Sequence, residues 1–194
     1  MLKIILATGN PHKVEEINEI AKDCGCEFVL PFDGFDPVED GETFEENALI
    51  KAKEANKYSK MLTLADDSGL CVDALNGEPG IHSARYAGTQ SEKIQKLLGA
   101  LKDVPEDQRG AKFVCAMVLL GEDGEVLFSD RGECSGKIGF EAKGTNGFGY
   151  DPVFVVEGGN LTMAELNEEI KNTISHRAIA LQKVLFFINA KFNL

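Results

Sequence analysis

A short apolar run that stops at two adjacent carboxylates is the feature that most constrains the fold of this chain. The run MLTLA at positions 61–65 is followed directly by DDSG at 66–69. This pattern predicts a buried strand that ends at Ala65 and brings acidic side chains to the rim of a sheet, where ligands bind in open α/β folds. Adjacent carboxylates repel, so a divalent cation or a proton held at a raised pKa would explain Asp66 and Asp67. An Asp-rich turn that caps the strand, with Gly69 in an unusual backbone conformation, is the competing explanation.

Strand-like and helix-like segments alternate along the 194 residues, which predicts an α/β fold with a mixed, strongly twisted sheet. Helix starts are marked by Gly9-Asn10-Pro11 and by the capping boxes Thr43-Phe44-Glu45-Glu46 and Thr162-Met163-Ala164-Glu165. The predicted strands are 3–8, 27–30, 62–65, 70–75, 111–120 and 125–129, and the predicted helices begin near Pro11, Thr43, Gln90 and Ser175.

Length and composition narrow the class of protein. The chain fits one domain, or two lobes sharing a cleft, and no apolar stretch approaches the ~20 residues of a membrane span. The amino terminus lacks the apolar region of a signal peptide, so we expect a cytoplasmic protein without a membrane partner. Five scattered cysteines predict reduced thiols rather than a zinc site. A net charge of −12 argues against nucleic acid as a partner but leaves a small polyphosphate open.

Two segments in the first third of the chain could bind a phosphate and a metal. Thr8 to Lys13 is a strand-to-helix turn whose helical N–H groups, together with the Lys13 ammonium, would suit an anion. Glu39, in an acidic loop, could complete a magnesium site with Asp67, because magnesium takes one or two carboxylates plus substrate phosphates. A plain capped helix and a solvated acidic face are the alternatives.

Two later segments could bind a base. The run GTNGFGYDP at 144–152 combines glycines, which allow close backbone approach, with the aromatic faces of Phe148 and Tyr150 and the hydrogen-bond acceptor Asp151. Lys171 and Ser175-His176-Arg177 place cations and donors around a helix start. An aromatic-anchored loop and a surface His-Arg pair are the ordinary alternatives. Together the four segments resemble the parts of a magnesium-dependent nucleotide enzyme.

The motifs resemble those of the inosine/xanthosine triphosphate pyrophosphatase family in composition and order. The matching segments are ATGNPHKVEEI at 7–17, ETFEENALIKA at 42–52, ADDSGLCVDALNGEPGIHSARYAG at 65–88, FVCA at 113–116, GTNGFGYDPVF at 144–154, MAEL at 163–166 and ISHRAIAL at 174–181. The resemblance implies a single domain over 1–194, with an elongated shape and two lobes around a central substrate cleft. It also implies a homodimer.

The implied reaction is magnesium-dependent hydrolysis of ITP, dITP and XTP to the monophosphate and pyrophosphate. Asp67 would accept the proton of the attacking water and bind the metal together with Glu39, while Lys13 and Lys51 would act on the triphosphate. The substrate-binding residues implied by position are Thr8, Gly9, Asn10, Pro11, His12, Lys13, Ser68, Phe148, Gly149, Tyr150, Asp151, Lys171, His176 and Arg177. His176 and Arg177 would donate to the 6-oxo group that hypoxanthine and xanthine carry and adenine lacks.

Two other functions fit parts of the pattern. A related pyrophosphatase could act on modified pyrimidine or standard deoxynucleoside triphosphates, although the 148–151 loop and the His176-Arg177 pair favour purines. A non-catalytic nucleotide-binding module would not need the acidic and basic side chains of Asp67, Glu39 and Lys13. The role of Asp66 stays open between support of the site and simple capping.

Overall fold

The computed structural model describes residues 1–194, except for the side chain of His12. Helices and strands alternate, and six strands form one mixed sheet in the order β2-β1-β3-β4-β5-β6. The strands are β1 (Leu2–Leu6), β2 (Cys26–Val29), β3 (Thr63–Val72), β4 (Gly110–Leu120), β5 (Val126–Ile138) and β6 (Phe154–Val156). The helices are α1 (Pro11–Ile20), α2 (Phe44–Ser59), α3 (Gln90–Ala100), α4 (Glu168–Ile174) and α5 (His176–Phe192).

The sheet is mixed, as predicted. Strand β1 pairs in parallel with both β2 and β3, whereas β5 and β6 are antiparallel. Its residues belong to two compact units: unit 1 comprises 1–67, 115–132 and 177–194, and unit 2 comprises 68–114 and 133–176. The α/β class is therefore confirmed, while the elongated shape, the strong twist and the central cleft stay predictions.

Unit 1 packs helices on both faces of its strands. Alternate residues Ile4, Leu6 and Leu64 join Cys115, Met117 and Leu119 in a core with Ile17 of α1 and Leu181 of α5. The residues between them, including Ile5, Ala7 and Ala65, pack against Ala48, Ala52 and Ala55 of α2. Because successive side chains of a strand point to opposite faces, this division defines an α1/α5 face and an α2 face.

Unit 2 has its own apolar core. Leu70 and Val72 of β3 pack with Ile94, Leu97 and Leu101 from α3 and its end, and with Phe113 of β4 and Phe154 of β6. Buried Arg109 donates to four backbone carbonyls, those of Leu101, Val104, Ile138 and Gly139, at 2.7 to 3.3 Å. This guanidinium therefore joins the end of α3 to the end of β5.

Several predicted boundaries were wrong. Strand β3 does not stop at Ala65 but runs through both aspartates to Val72, so the predicted 62–65 and 70–75 pieces are one strand. It continues because both acids have cationic partners, described below, and because Leu70 and Val72 are needed in the core of unit 2. Strand β5 likewise extends nine residues past the predicted end at Ser129, and β6 was not predicted. The capping box at Thr162 forms, but it begins a single 3-10 turn, Met163–Glu165, and helix α4 starts only at Glu168.

Other predictions agree with the structure. Helix α2 begins after Thr43, whose side chain accepts a hydrogen bond from Glu46 N. Only this half of the predicted capping box forms, because the Glu46 carboxylate accepts from Glu42 N at 2.7 Å and not from Thr43 N. The turn between β4 and β5 is closed by hydrogen bonds from Gly121 N to Glu125 O and from Gly124 N to Gly121 O. All five cysteines are free thiols. None of the helices among the described residues is long and apolar enough to cross a membrane.

Candidate active site

Strand β3 presents its two adjacent aspartates to opposite faces of unit 1. Asp66 follows the alternation of Leu64 toward α1 and α5, and Asp67 follows that of Ala65 toward α2. The contacts agree with this, because Asp66 bonds to residues of α1 and α5 while Asp67 bonds to a lysine of α2. The repulsion expected between neighbouring carboxylates is therefore reduced by separation on the strand and by different partners.

Asp66 is the centre of an ion network on the α1/α5 face. Both of its oxygens accept hydrogen bonds from Lys13 Nζ at 3.0 Å. Nε and Nη2 of Arg177 lie 3.4 Å from Oδ2, and Nη1 of the same guanidinium donates to Glu16 at 3.1 Å. The network contains two cations and two anions.

The side chain of Asp66 is only 1% exposed, yet it stays ionised. Its burial favours the neutral acid, but the charges of Lys13, Arg177 and Lys51 outweigh burial and hold its pKa well below the ordinary value. Asp66 is therefore a permanent anion that fixes one cation from α1 and another from α5. It is not a capping residue, which resolves the alternative left open by the sequence.

Asp67 belongs to a second cluster with a different charge balance. Lys51 Nζ donates to Asp67 Oδ1 at 3.3 Å and to Glu39 Oε2 at 3.1 Å. Lys51 reaches this position because it lies on the buried stripe of α2 between Ala48 and Ala52, whose small side chains bring the helix close to the strands. With one cation and two anions, this cluster carries a net charge of −1.

One oxygen of Asp67 has no partner. Within the described part of the chain, Oδ2 is buried and makes no hydrogen bond. Burial raises the pKa of Asp67, the carboxylates of Glu39 and Asp66 raise it further, and Lys51 opposes them. The pKa of Lys51 is also raised, because the three carboxylates outweigh the effect of burial on the ammonium.

The donor set of this cluster suits a hard divalent cation. Glu39 and Asp67 supply carboxylate oxygens, the ligands that magnesium prefers, and the unpartnered Oδ2 is a site where a cation would relieve the cost of a buried carboxylate. No group of three or more His, Cys, Asp or Glu side chains suited to a metal occurs among the described residues. Two protein carboxylates are nevertheless sufficient where substrate phosphates and water complete the coordination.

The predicted anion loop leads from β1 into α1. The Thr8 hydroxyl is buried and accepts a hydrogen bond from Asn10 N at 3.1 Å, and α1 begins at Pro11 as expected. Gly9 is required here, because a Cβ at this position would lie 2.7 Å from the carbonyl oxygen of Phe35. The side chain of His12 lies outside the described residues.

Three of the predicted base-binding residues lie together in unit 2. Asp151 Oδ2 accepts hydrogen bonds from Phe148 N at 3.0 Å and from Lys171 Nζ at 2.9 Å. The Lys171 ammonium also lies 4.9 Å from the centre of the Phe148 ring, which is 51% exposed. Gly149 lies in the same loop with a positive φ. The loop therefore presents an exposed aromatic face beside a neutralised cation.

Tyr150 differs from its expected role. Its side chain is buried, and its hydroxyl donates to the carbonyl of Ser83 at 3.0 Å. Burial raises the pKa of this phenol above its usual value. In this structure the ring of Tyr150 anchors the loop and offers no face to a ligand, so stacking by Tyr150 is not supported.

His176 and Arg177 are neighbours in sequence with different surroundings. The His176 ring stacks on Phe113 in unit 2, with centroids 4.9 Å apart and planes inclined by 14°. Arg177 belongs to unit 1 and is held by Asp66 and Glu16. Direct contact of Arg177 with a base stays a prediction. Ser68 is partly buried in β3, next to Asp67.

Sequence reasoning missed three residues of these clusters. Glu16 holds Arg177, Phe113 supports His176, and Ser83 receives the Tyr150 hydroxyl. Glu16 lies three positions after Lys13, so helical spacing could have placed both on one face of α1. The contacts of Phe113 and Ser83 join residues distant in sequence, and no local signal marks them.

Comparison with known proteins decides the family. The sequence profile of the Ham1 family matches residues 4–187. The chain belongs to the Ham1 family. A protein named dITP/XTP pyrophosphatase from Shigella flexneri is 49% identical over 95% of this chain and 97% of its own length. A relative of the same name from Desulforamulus reducens is 46% identical over 97% of this chain and 96% of its own length. A solved Ham1 protein from Coxiella burnetii has a TM-score of 0.90 and 42% identity, covering 98% of this chain and 100% of its own.

Proposed function

We propose that this Ham1 protein hydrolyses non-standard purine nucleoside triphosphates, dITP, ITP and XTP, to the monophosphate and pyrophosphate. The observation that carries the proposal is its likeness, over nearly the full length of both chains, to proteins named dITP/XTP pyrophosphatase. The Asp67 cluster agrees with this proposal, because its buried, unpartnered oxygen is a position where a metal ion or a proton would be bound.

Asp67 is the proposed general base. A general base must be deprotonated before it acts, yet it must bind a proton strongly enough to take one from water. The raised pKa of Asp67 strengthens its proton binding and brings its titration closer to neutral pH. Its Oδ2 makes no hydrogen bond in the described chain, so this oxygen keeps lone pairs with which to accept a proton. In the metal-free protein, Lys51 donates to the other oxygen of the same carboxylate, Oδ1.

Cations and N–H groups of unit 1 would bind the triphosphate. The N-terminus of α1, with Thr8 to Lys13, provides N–H groups and an ammonium, and Lys51 provides a second ammonium. The proposed magnesium ion would bind at Glu39 and Asp67 and, when bound, would neutralise charge on the phosphates. Lys13 donates to both oxygens of Asp66 and has a third N–H with which it could donate to a phosphate.

The 148–151 loop, Lys171 and His176 are the proposed contacts of the base. Phe148 would stack on it, while Lys171, Asp151 and His176 would supply polar contacts at its edge. A site with donors for a 6-oxo group would reject adenine, whose amino group would leave those donors unpaired. The homodimer and the cytoplasmic location implied by the family resemblance are part of the same proposal, and sedimentation equilibrium would test the first.

The test is a pyrophosphate-release assay with ITP, dITP, XTP, GTP and dTTP, with and without magnesium. We expect turnover of the first three substrates, weak turnover of GTP and dTTP, and loss of activity when EDTA removes the metal. Preference for dTTP would favour the pyrimidine alternative. Binding of ITP without any turnover would favour the binding module.

A further inference from the structure

The side chain of Lys51 lies between two carboxylates of unit 1. Its ammonium lies within 3.3 Å of oxygens from Glu39 and Asp67, and only 7% of the residue is exposed. The neighbouring network of Asp66, Lys13, Arg177 and Glu16 is electrically balanced. Lys51 is therefore the cation bridging the two carboxylates that are the proposed metal ligands.

One monovalent cation only partly satisfies this pair of carboxylates. The cluster keeps a charge of −1, and Oδ2 of Asp67 has no hydrogen-bond partner in the described chain. A divalent cation bound by both carboxylates would satisfy both needs, but the Lys51 ammonium already lies against one oxygen of each, Glu39 Oε2 and Asp67 Oδ1. Two cations sharing these oxygens repel each other strongly in a buried site.

We propose that Lys51 is a built-in substitute for the metal, which holds Glu39 and Asp67 together in the metal-free protein and must withdraw from them when magnesium binds. This inference rests on the proposed function only in taking Glu39 and Asp67 as metal ligands. The withdrawn ammonium becomes available to a polyphosphate. The lysine therefore weakens metal binding in the empty site and keeps the buried carboxylate of Asp67 and the partly exposed one of Glu39 from repelling each other until substrate and metal arrive.

The opposite role for Lys51 makes the opposite prediction. If the lysine only pre-organised the two carboxylates for the metal, its removal would leave them free to separate and would weaken metal binding. Metal affinity in the absence of any nucleotide therefore separates the two roles. The measurement is independent of turnover, so failure of the pyrophosphatase assay and failure of this inference are distinguishable.

The experiment measures Mn²⁺ binding to the full chain by electron paramagnetic resonance for wild type, Lys51→Met and Lys53→Met. Lys53 lies on the same helix and is exposed, so its variant has the same change of charge without the contact. We expect Lys51→Met to bind Mn²⁺ about tenfold more tightly than wild type, because the competing charge is removed. Lys53→Met should stay within about twofold, because exposed charges are screened. Unchanged or weaker binding by Lys51→Met overturns the proposal.

Thermal unfolding provides a second readout. Without metal, Lys51→Met should unfold at a lower temperature than wild type, because Glu39 and Asp67 then repel. Magnesium chloride should raise its unfolding temperature more than that of wild type. If Lys51→Met does not fold, Lys51→Gln, which keeps a hydrogen-bond donor without the charge, is measured in the same way. If magnesium raises the unfolding temperature of wild type and variant by the same amount, the proposed exchange of the Lys51 ammonium for the metal ion is wrong.

Discussion

At the scale of single residues, two identical side chains in adjacent positions have different chemistry. Asp66 is held as a permanent anion by Lys13 and Arg177, whereas burial and two neighbouring carboxylates raise the pKa of Asp67. The difference arises from their partners on the two faces of β3 and not from the residue type. Asp67 can therefore serve as a base, while Asp66 serves the structure of the site.

Asp67→Asn should lower kcat for ITP by about 100-fold to 10,000-fold, the usual contribution of a general base. The amide has nearly the same shape, so ITP should still bind. Single-turnover hydrolysis and equilibrium binding of ITP measure the two effects. Asp103→Asn, at an exposed site, is the matched control. Retained hydrolysis in Asp67→Asn would exclude this residue as the base.

The pKa of Asp67 should respond to its neighbours in opposite directions. Glu39→Gln removes a carboxylate that raises this pKa, so the value should fall, whereas Lys51→Met removes a cation that lowers it, so the value should rise. A base with a raised pKa loses its function as pH falls through that value. Carboxyl ¹³C NMR titration of the metal-free variants measures the shifts. Shifts in the same direction would contradict the assigned causes.

Asp66→Asn should destabilise the protein by about 3–5 kcal/mol, because removing one partner of a buried ion network leaves the other charges uncompensated. The buried Arg177 would keep only Glu16 among the network's carboxylates. Urea denaturation of Asp66→Asn and of the exposed control Asp103→Asn gives the difference. A loss equal to that of the control would mean that Lys13 and Arg177 find other partners.

At the scale of elements, the 144–151 loop is held by a small set of hydrogen bonds, called the latch below. Asp151 joins the backbone of Phe148 to Lys171 of α4, and Tyr150 anchors the loop on Ser83. Gly147 is required by this latch. It has a φ of +74°, and a Cβ there would collide with Asp151 Oδ2 and approach Lys171 Nζ to 2.9 Å.

Gly147→Ala should therefore raise KM for ITP by about tenfold or more, because small displacements of positioning groups are costly. Gly158→Ala is the control, since Gly158 has a φ of +76° but no atom within 4 Å of an added Cβ. The control bears the backbone strain without the collision. Steady-state kinetics compare the two variants, and equal KM values would show that the latch does not position the base.

Much of this element structure was predictable from local signals. The cap at Thr43, the hairpin turn at 121–124 and the start of α5 follow from turn and capping chemistry. The course of β3 through Asp66 and Asp67 could not be predicted from local signals, because it depends on cations supplied by α1, α2 and α5. The anchoring role of Tyr150 was not predictable either, because its hydrogen-bond partner Ser83 is 67 positions away in the sequence. Tyr150 was therefore expected to stack on a base.

At the scale of the whole molecule, the net charge of −12 opposes the approach of a triphosphate. The lysines near the Asp67 cluster attract a triphosphate mainly at short range, whereas the net charge of the protein repels it over distances up to about a Debye length. We expect kcat/KM for ITP to rise as KCl is increased from low concentration, because salt screens the long-range repulsion. Stopped-flow or initial-rate measurements at constant magnesium test this. A steady fall would mean that local attraction dominates the encounter.

The placement of Asp66 and Asp67 on opposite faces of β3 makes the length of the preceding segment as important as its composition. Deleting one residue between Met61 and Ala65 would turn Asp67 toward Arg177 and bring Ser68 to Lys51. Inserting one would bring Asp66 to Lys51 and leave Ala65 facing Arg177. Either change preserves both aspartates in the sequence yet places them on the wrong faces of the strand. We therefore expect the length of this segment to be as necessary for activity as the aspartates themselves.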